Sequence, residues 1–190
     1  MTNPDSLAAA VQPKRVSTPL ENTPAWPWDP AALIAAPLCL HTPHVPTEWV
    51  DYNGHLRDAY YLLVFSMATD AMMDMIGLDE AGRAATGHSI FTLESHINYL
   101  LEVKQGTAIE VQTQILGADA KRLHVYHSLY VAGTETLLSV NEQMLLNVDM
   151  SGPRAAPFAP SVLPRVQALA ARHMGLPRPR YAGRAIALAR

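Results

Sequence analysis

The sequence predicts an α+β fold in which a curved antiparallel sheet surrounds one long, buried helix. Two observations indicate this fold class. Residues 58–76 contain neither proline nor glycine and are rich in Leu, Met and Ala, which favours a helix. Four strand-like runs follow with short turns between them, so neighbouring strands should pair antiparallel. Because the helix is apolar on most of its circumference, we expect the sheet to cover it.

Length and composition set limits on the function. The chain has 190 residues, enough for one domain with a full core and tails. Its 14 Lys and Arg and 17 Asp and Glu residues give a net charge of −3, so no basic field favours nucleic acid. The single cysteine cannot form an internal disulfide, and neither a signal peptide nor an apolar run long enough for a membrane span is present. We expect a soluble, cytoplasmic protein.

The chain divides into a leader, one domain and a tail. Residues 1–37 contain seven prolines and no hydrophobic period, which predicts an irregular leader. Trp26 and Trp28 could pin it to the domain or to another subunit, or could pack loosely without a function. Residues 38–150 form the predicted domain, and residues 151–190 a surface helix and a mobile tail. The predicted strands are 38–50, interrupted by prolines, and 89–100, 108–116, 122–131 and 136–148. The predicted helices are 58–76 and 161–173.

A short polar turn stands directly before the central helix. Its residues are Asp51, Tyr52, Asn53, Gly54 and His55. A carboxylate at the start of a buried helix is typical of a reaction site, because the first N–H groups of a helix lack partners and lie at its positive end. The alternative is that Asp51 is an ordinary turn or N-cap aspartate.

Together with the order of the elements, this Asp-x-x-Gly-His signature resembles the hotdog-fold acyl-CoA thioesterases related to 4-hydroxybenzoyl-CoA thioesterase. The runs EWVDYNGH, FTLESHI and LGADAKRLHVYHSLY are similar to those of the betainyl-CoA thioesterases of carnitine breakdown. The resemblance covers roughly residues 38–148. It implies hydrolysis of a small acyl-CoA, first of all betainyl-CoA, by a homodimer or tetramer with its site between subunits. It also implies a functional link to carnitine dehydrogenase, to which some relatives are fused.

Thioester hydrolysis assigns a role to each part of the turn. It needs a carboxylate that attacks the carbonyl or activates water, and Asp51 supplies it as nucleophile or general base. It also needs hydrogen-bond donors for the carbonyl oxygen, which the N–H groups around Asp58 and Ala59 could supply. Gly54 allows close approach of the backbone or a positive φ. His55 could orient the substrate or Asp51, or simply cap and pack.

Further carboxylates extend the list of candidates. Relatives usually carry a hydrophobic residue and two asparagines after Gly-His, whereas this chain has Leu56-Arg57-Asp58, which makes Asp58 a second carboxylate candidate. Alternation in residues 89–100 places Thr92, Glu94 and His96 on one face and Phe91 on the other. Glu94 could position water and His96 could contact substrate, or both could belong to a solvent-facing or tetramer-facing polar row. Two helix aspartates, Asp70 and Asp74, form a polar stripe with Ser66.

A quaternary ammonium group would be bound by aromatic faces. The aromatic residues around the turn are Trp49, Tyr52, Tyr60, Tyr61 and Phe91, and Asn53 is a further substrate-binding candidate. These rings could equally be plain core. For coenzyme A phosphates the candidates are Lys104, Lys121, Arg122 and Arg154.

Metal and cofactor chemistry are not expected from the pattern. His124 and His127 are three residues apart in a predicted strand, so they should point to opposite faces. We therefore expect catalysis without a metal or cofactor, coenzyme A being part of the substrate. Two rival functions stay open: a thioesterase for another short or aromatic acyl group, and a non-catalytic module that binds acyl-CoA. A dehydratase of similar fold would need a histidine base where this chain has Asp51.

Overall fold

A computed structural model of the protein describes residues 28–188. The strands are β1 (Leu38–His41), β2 (His88–Tyr99), β3 (Ile109–Ala118), β4 (Arg122–Val131), β5 (Leu137–Asp149) and β6 (Arg154–Ala155). The helices are α1 (Asp58–Met75), α2 (Glu80–Thr86) and α3 (Leu163–His173), and a single 3₁₀ turn spans Thr47–Trp49. Trp26 lies outside the described residues.

The strands form one antiparallel sheet in the order β1-β3-β4-β5-β2, and β6 pairs with the end of β5. Strand β2 is therefore an edge strand. Helix α1 packs on the inner face of this sheet, with Val64, Phe65 and Met72 fully buried. Burying one such side chain contributes about 1.5–3 kcal/mol, so α1 holds the fold together. The predicted α+β arrangement, a curved sheet around one long helix, is confirmed.

Helix α1 begins and ends close to the predicted residues. It runs from Asp58 to Met75, and Gly77 follows with a φ of 87°. A positive φ lies outside the helical range, so α1 ends before Gly77. Glycine occupies this position because other residues rarely adopt a positive φ. No single helix among residues 28–188 is long and apolar enough to cross a membrane. Within this range, only α1 and α2 taken together have the length and composition of a membrane span, and the two helices are bent by 63° relative to each other.

Two elements were not predicted and one is shorter than expected. Asp79 caps the seven-residue α2 by accepting a hydrogen bond from the Gly82 N–H at 2.7 Å, and Gly87 ends it with a φ of 67°. Strand β6 has two residues, too few to give a periodic signal. The first strand was predicted to reach residue 50, but β1 ends at His41. Beyond it, His44 and Val50 make isolated bridges to Ala108 and Leu56.

A β-bulge in β2 changes the predicted faces of that strand. The pairing with β5 shifts between Thr92 and Glu94, which leaves Leu93 as the extra residue. Cross-strand partners share a face, so Phe91 and Glu94 lie on the same face of the sheet, the one turned away from α1. The prediction from strict alternation, that Phe91 and Glu94 lie on opposite faces, was wrong because the bulge inserts one residue between them.

The ends of the described chain meet at α3. His173 is buried, and its Nδ1 accepts a hydrogen bond from the Ile115 N–H at 2.9 Å while its Nε2 lies 3.1 Å from the Ala35 carbonyl oxygen. Trp28 packs under Arg165, whose guanidinium is 5.3 Å from the ring centre. Beyond α3 the tail contacts the outer face of the sheet, where the Gly183 N–H donates a hydrogen bond to the Glu142 carboxylate at 2.6 Å.

Candidate active site

The turn before α1 is a closed loop of backbone hydrogen bonds. The Asp51 N–H donates to the His55 carbonyl at 2.9 Å, and the Gly54 N–H donates to the Asp51 carbonyl at 3.0 Å. The Gly54 φ of 77° makes this turn possible. The Asp51 Oδ1 accepts from the N–H groups of Asn53 at 2.8 Å and His55 at 3.1 Å. The backbone therefore fixes the carboxylate in one orientation.

Two consequences for Asp51 follow from these contacts. The His55 N–H, together with the Asn53 N–H, lowers the pKa of Asp51 below its ordinary value, so the carboxylate is ionised at neutral pH. Both hydrogen bonds go to Oδ1, which leaves Oδ2 without a hydrogen-bond donor among residues 28–188. An ionised oxygen of this kind can attack a carbonyl carbon or remove a proton from water.

The first turn of α1 contains a candidate donor for a substrate carbonyl, the N–H group of Asp58. Arg57 precedes the helix in an extended conformation, and its carbonyl accepts a hydrogen bond from the Tyr60 N–H at 3.0 Å. The Ala59 N–H donates to the carboxylate of Asp58 at 2.8 Å, so Ala59 is not the open donor that the sequence suggested. Within the described residues the Asp58 N–H has no acceptor. It lies at the positive end of the helix, where negative charge on a carbonyl oxygen is stabilised.

Two neighbouring cavities meet at this helix start. The first cavity, of about 370 Å³, is lined by Asp51, Tyr52, His55, Leu56, Arg57, Asp58 and Glu102. The second cavity, of about 280 Å³, is lined by Leu56, Asp58, Tyr61, Tyr99, Leu100, Leu101 and Glu102. They share Leu56, Asp58 and Glu102. A more spacious cavity of about 560 Å³ between α3 and β3 is lined mostly by apolar side chains and lies away from this turn.

The second cavity contains two residues that the sequence analysis missed. Tyr99 packs edge-on against Tyr61, with 5.4 Å between the ring centres and an angle of 90°. The Tyr99 hydroxyl donates to the Asp58 carbonyl at 3.2 Å. Glu102 lies three residues after the end of β2, and its Oε2 is 3.5 Å from the His55 Nδ1. Strand periodicity assigned Tyr99 to a generic apolar face, and nothing in the sequence places the residues after β2 beside the turn.

The remaining aromatic candidates are less well placed to contact a substrate at Asp51. Trp49 and Tyr60 stack on each other with ring centres 5.4 Å apart and an angle of 9°, so one face of each ring is covered. Tyr52 lines the first cavity but is 94% exposed, and the side chain of Asn53 is exposed as well. Phe91 lies on the outer face of the sheet, and the structure does not bring it to Asp51.

Glu94 and His96 lie in a different place from Asp51. Both line an outer cavity of about 270 Å³ on the face of the sheet that is turned away from α1. His124 and Glu142 line the same outer cavity, with the His124 Nε2 2.7 Å from the Glu142 Oε1. The helper carboxylate expected from Glu94 is thus not brought to Asp51 within one chain.

Near the middle of α1 lies a group of buried polar side chains, here called the core polar cluster: Thr69, Thr113, His127 and Gln143. The Thr69 Oγ1 is 3.1 Å from the His127 Nε2 and 3.1 Å from the Gln143 Oε1. On the other side of the ring, the His127 Nδ1 is 2.9 Å from the Thr113 Oγ1. Burial lowers the pKa of His127 to about 4. The ring is therefore neutral at physiological pH, and it points inward, opposite to His124.

The candidates for contact with coenzyme A phosphates differ in their present partners. Arg122 pairs with Asp119 at 2.6 Å, and Arg154 pairs with Asp149 at 2.9 Å, each within its own turn. Lys104 forms an isolated bridge with His55 and is exposed, which puts it beside the turn. Among residues 28–188 no group of three or more His, Cys, Asp and Glu side chains is arranged to hold a metal ion.

Comparison with known proteins identifies the family. Residues 45–166 match the thioesterase-like superfamily. The chain is 60% identical over 147 residues to the betainyl-CoA thioesterase of Pseudomonas aeruginosa, covering 77% of this chain and 92% of that protein. It is 44% identical over 150 residues to the L-carnitine dehydrogenase/betainyl-CoA thioesterase of Agrobacterium fabrum, covering 79% of this chain and 30% of that longer protein.

Solved structures also support membership of the thioesterase-like superfamily. A Pseudomonas putida KT2440 protein assigned as a thioesterase is 51% identical, with a TM-score of 0.71, and the match covers 82% of this chain and 99% of that chain. A Staphylococcus aureus protein solved in complex with CoA is 28% identical, with a TM-score of 0.75, covering 83% and 100%. The sheet curved around α1 is the hotdog fold of the thioesterase-like superfamily. This chain therefore belongs to the thioesterase-like superfamily, and it is a thioester hydrolase.

Proposed function

We propose that the protein hydrolyses betainyl-CoA to glycine betaine and free CoA, with Asp51 and the start of α1 as the catalytic groups. The observation that carries this proposal is that an ionised carboxylate and the Asp58 N–H line one cavity, while among residues 28–188 neither the Asp51 Oδ2 nor that N–H has a hydrogen-bond partner. The 60% identity to a betainyl-CoA thioesterase supports the choice of acyl group.

The chemistry follows from these two groups. The thioester carbonyl oxygen accepts a hydrogen bond from the Asp58 N–H, which stabilises the negative charge that develops there. As nucleophile, Asp51 forms a mixed anhydride and expels the CoA thiolate, which takes up a proton, and water then hydrolyses the anhydride. As general base, Asp51 instead takes a proton from a water molecule that attacks the carbonyl directly; the C–S bond then breaks and the CoA thiolate takes up that proton. Both routes end with one carboxylate and one thiol.

Two further expectations belong to this proposal. A carboxylate, a backbone donor and water suffice for thioester hydrolysis, so we propose that no metal or organic cofactor takes part. A CoA substrate fits the expected cytoplasmic location. Relatives named as fused to L-carnitine dehydrogenase support a functional partnership with such an enzyme in this organism.

We also propose that the protein is a homodimer that pairs along β2, with tetramers as the alternative. Strand β2 is twelve residues long and lies at the edge of the sheet, where its outer backbone groups are open to a second strand. Leu93, Tyr99 and Leu101 are each at least half exposed along this edge. Molecular mass in solution tests the proposal: a monomer of 20.7 kDa with full activity would contradict it.

A panel of acyl-CoA substrates tests the proposed activity. We expect kcat/KM to be highest for betainyl-CoA among betainyl-, acetyl-, hexanoyl- and benzoyl-CoA. A higher value for hexanoyl- or benzoyl-CoA would favour the rival thioesterase. Absence of hydrolysis with every thioester, together with measurable binding of CoA esters, would favour the non-catalytic binding module.

A single-turnover reaction in heavy-oxygen water separates the two roles of Asp51. Label in the Asp51 carboxylate after one turnover is expected for the nucleophile when water opens the anhydride at the Asp51 carbonyl carbon. Label only in the product betaine is expected for the general base, and also for a nucleophile whose anhydride opens at the betainyl carbonyl, so trapping of the acyl-enzyme must distinguish these two. Mass spectrometry of the peptide that contains Asp51 gives the answer.

A further inference from the structure

The second cavity combines negative charge with two tyrosine rings, whereas the first cavity has a single tyrosine ring, that of the exposed Tyr52. Among the residues that the structure describes, the lining of the second cavity includes the carboxylates of Asp58 and Glu102 and no basic side chain. The first cavity is lined by a third carboxylate, Asp51, and also by Arg57 and His55. In the second cavity no cationic side chain of residues 28–188 offsets the two carboxylates, which favours a cationic group there.

Aromatic rings complete the second cavity. A trimethylammonium group has no N–H and cannot donate a hydrogen bond, so it is recognised by negative potential and by ring faces. Tyr61 and Tyr99 meet edge to face at 90°, which presents two differently oriented rings to the same cavity. Their hydroxyls donate to the Leu101 and Asp58 carbonyls, both at 3.2 Å, which fixes the rings in place.

The surrounding backbone fixes Glu102 beside the reaction centre. The N–H groups of Leu100 and Leu101 both donate to the Leu138 carbonyl at 3.0 Å, and the Leu56 N–H donates to the Val103 carbonyl at 2.9 Å. The segment that carries Glu102 is thus tied to β5 on one side and to the catalytic turn on the other. The contact of 3.5 Å to the His55 Nδ1 places the carboxylate where the two cavities meet.

We propose that Glu102 and Tyr99, together with Tyr61, form the recognition site for the positively charged head of the acyl group and determine the preference of the enzyme for cationic over neutral acyl-CoA. This inference rests on the proposed function, because it assigns residues to that substrate. The ammonium nitrogen of a betainyl group is two bonds from the thioester carbonyl carbon. A carbonyl bound at the Asp58 N–H therefore brings the head group into the second cavity, which Asp58 also lines.

The tyrosine pKa values agree with a negative potential in this cavity. Burial raises the pKa of Tyr61, and the charge of Glu102 raises it further. Burial likewise raises the pKa of Tyr99, and the charge of Asp58 adds to the effect. Both rings stay neutral at physiological pH. Tyr99 is half exposed, and Tyr61, which is 4% exposed, lines the cavity with part of its ring.

The test compares betainyl-CoA with tert-butylacetyl-CoA, in which a carbon atom replaces the ammonium nitrogen and the shape is kept. The readout is the ratio of the two kcat/KM values. Glu102→Gln removes the charge and keeps the side-chain length, and we expect this ratio to fall about tenfold. Tyr99→Leu should lower the ratio as well, whereas Tyr99→Phe, which keeps the ring, should preserve most of it. Glu135→Gln, at the exposed turn before β5, is the matched control and should leave the ratio unchanged.

The outcomes separate this inference from the proposed function. A wild type that prefers betainyl-CoA, combined with a Glu102→Gln variant whose ratio is unchanged, would overturn the inference and leave the function standing. Equal losses with both substrates would also overturn it, because they would indicate a structural role. A wild type that hydrolyses tert-butylacetyl-CoA as well as betainyl-CoA would overturn the inference and the proposed substrate together, while the thioesterase activity would remain.

Discussion

Two groups of polar atoms lie along α1, and they differ in whether the atoms already form hydrogen bonds within the protein. At the start of the helix, the Asp51 Oδ2 and the Asp58 N–H have no protein partner within residues 28–188. In the core polar cluster, both ring nitrogens of His127 lie within 3.1 Å of a threonine hydroxyl. The first group can act on a substrate, whereas the second holds the helix on the sheet. Variants should therefore separate activity from stability.

Asp51→Asn is expected to give the largest effect on activity. The amide oxygen can still accept the N–H groups of Asn53 and His55, so the turn is kept while the nucleophile or base is lost. We expect kcat to fall about a thousandfold, within the range for removal of such a group, with little change in unfolding free energy. Steady-state kinetics and chemical denaturation measure the two quantities.

Binding of a CoA ester to Asp51→Asn provides the control for this variant. Retained affinity with lost hydrolysis would show that only the chemical step is affected. Hydrolysis within a few fold of the wild type would show that Asp51 is an ordinary turn aspartate.

His127 should give the largest effect on stability, and the effect should depend on pH. Its pKa in the folded protein is about 4, below the unfolded value near 6.5, so the unfolded chain binds more protons between these values. Stability contributed by the neutral ring is complete above pH ~6.5 and is lost as the pH falls towards 4, by about 3 kcal/mol in all. Denaturation at pH 7.5 and at pH 4.5 measures the difference.

A His127→Gln variant is the matched control, because it keeps hydrogen-bonding atoms and removes the titration. Its unfolding free energy should change less between the two pH values than that of the wild type. An equal change in both proteins would assign the acid sensitivity to other groups. The ratio of kcat/KM values for two substrates should be the same in both proteins at pH 7.5.

Gly54→Ala should have an intermediate effect on both quantities. A Cβ atom at this position would meet nothing within 4 Å, so only the positive φ opposes the substitution. A non-glycine residue in this region costs about 1–2 kcal/mol. We expect a loss of unfolding free energy of that size and a severalfold lower kcat, because the turn that orients Asp51 is strained. Gly54→Asn, which tolerates positive φ better, should lose less, and equal losses would contradict the backbone explanation.

Glu94→Gln should have the smallest effect. Glu94 lines the outer cavity and faces away from α1, so we expect kcat/KM to stay within about twofold of the wild type, as for most exposed substitutions. A loss comparable to that of Asp51→Asn would mean that a second chain brings Glu94 to the site. The oligomeric state of the variant should be measured alongside its kinetics.

The sequence was sufficient for elements whose signal is local and periodic. Helix α1, strand β4 and the turn at Asp51 were predicted within about a residue, because their patterns are long or rest on a contiguous motif. The bulge at Leu93 was missed since one inserted residue leaves no trace in composition. Tyr99 and Glu102 were missed because their nearness to Asp58 and His55 is a tertiary contact across more than forty residues.

The imidazole of His173 has a consequence for shortened versions of the chain. One ring connects three segments that are distant in sequence: α3, the Ile115 N–H in β3 and the Ala35 carbonyl before β1. Because Nδ1 accepts from Ile115, the hydrogen of the neutral ring sits on Nε2, so the tautomer is fixed by its neighbours. Truncation of the chain before residue 173 would therefore remove two hydrogen bonds at once. The Ala35 carbonyl would lose its contact with the ring, and the Ile115 N–H in β3 would lose its acceptor. The smallest self-sufficient unit must reach past α3.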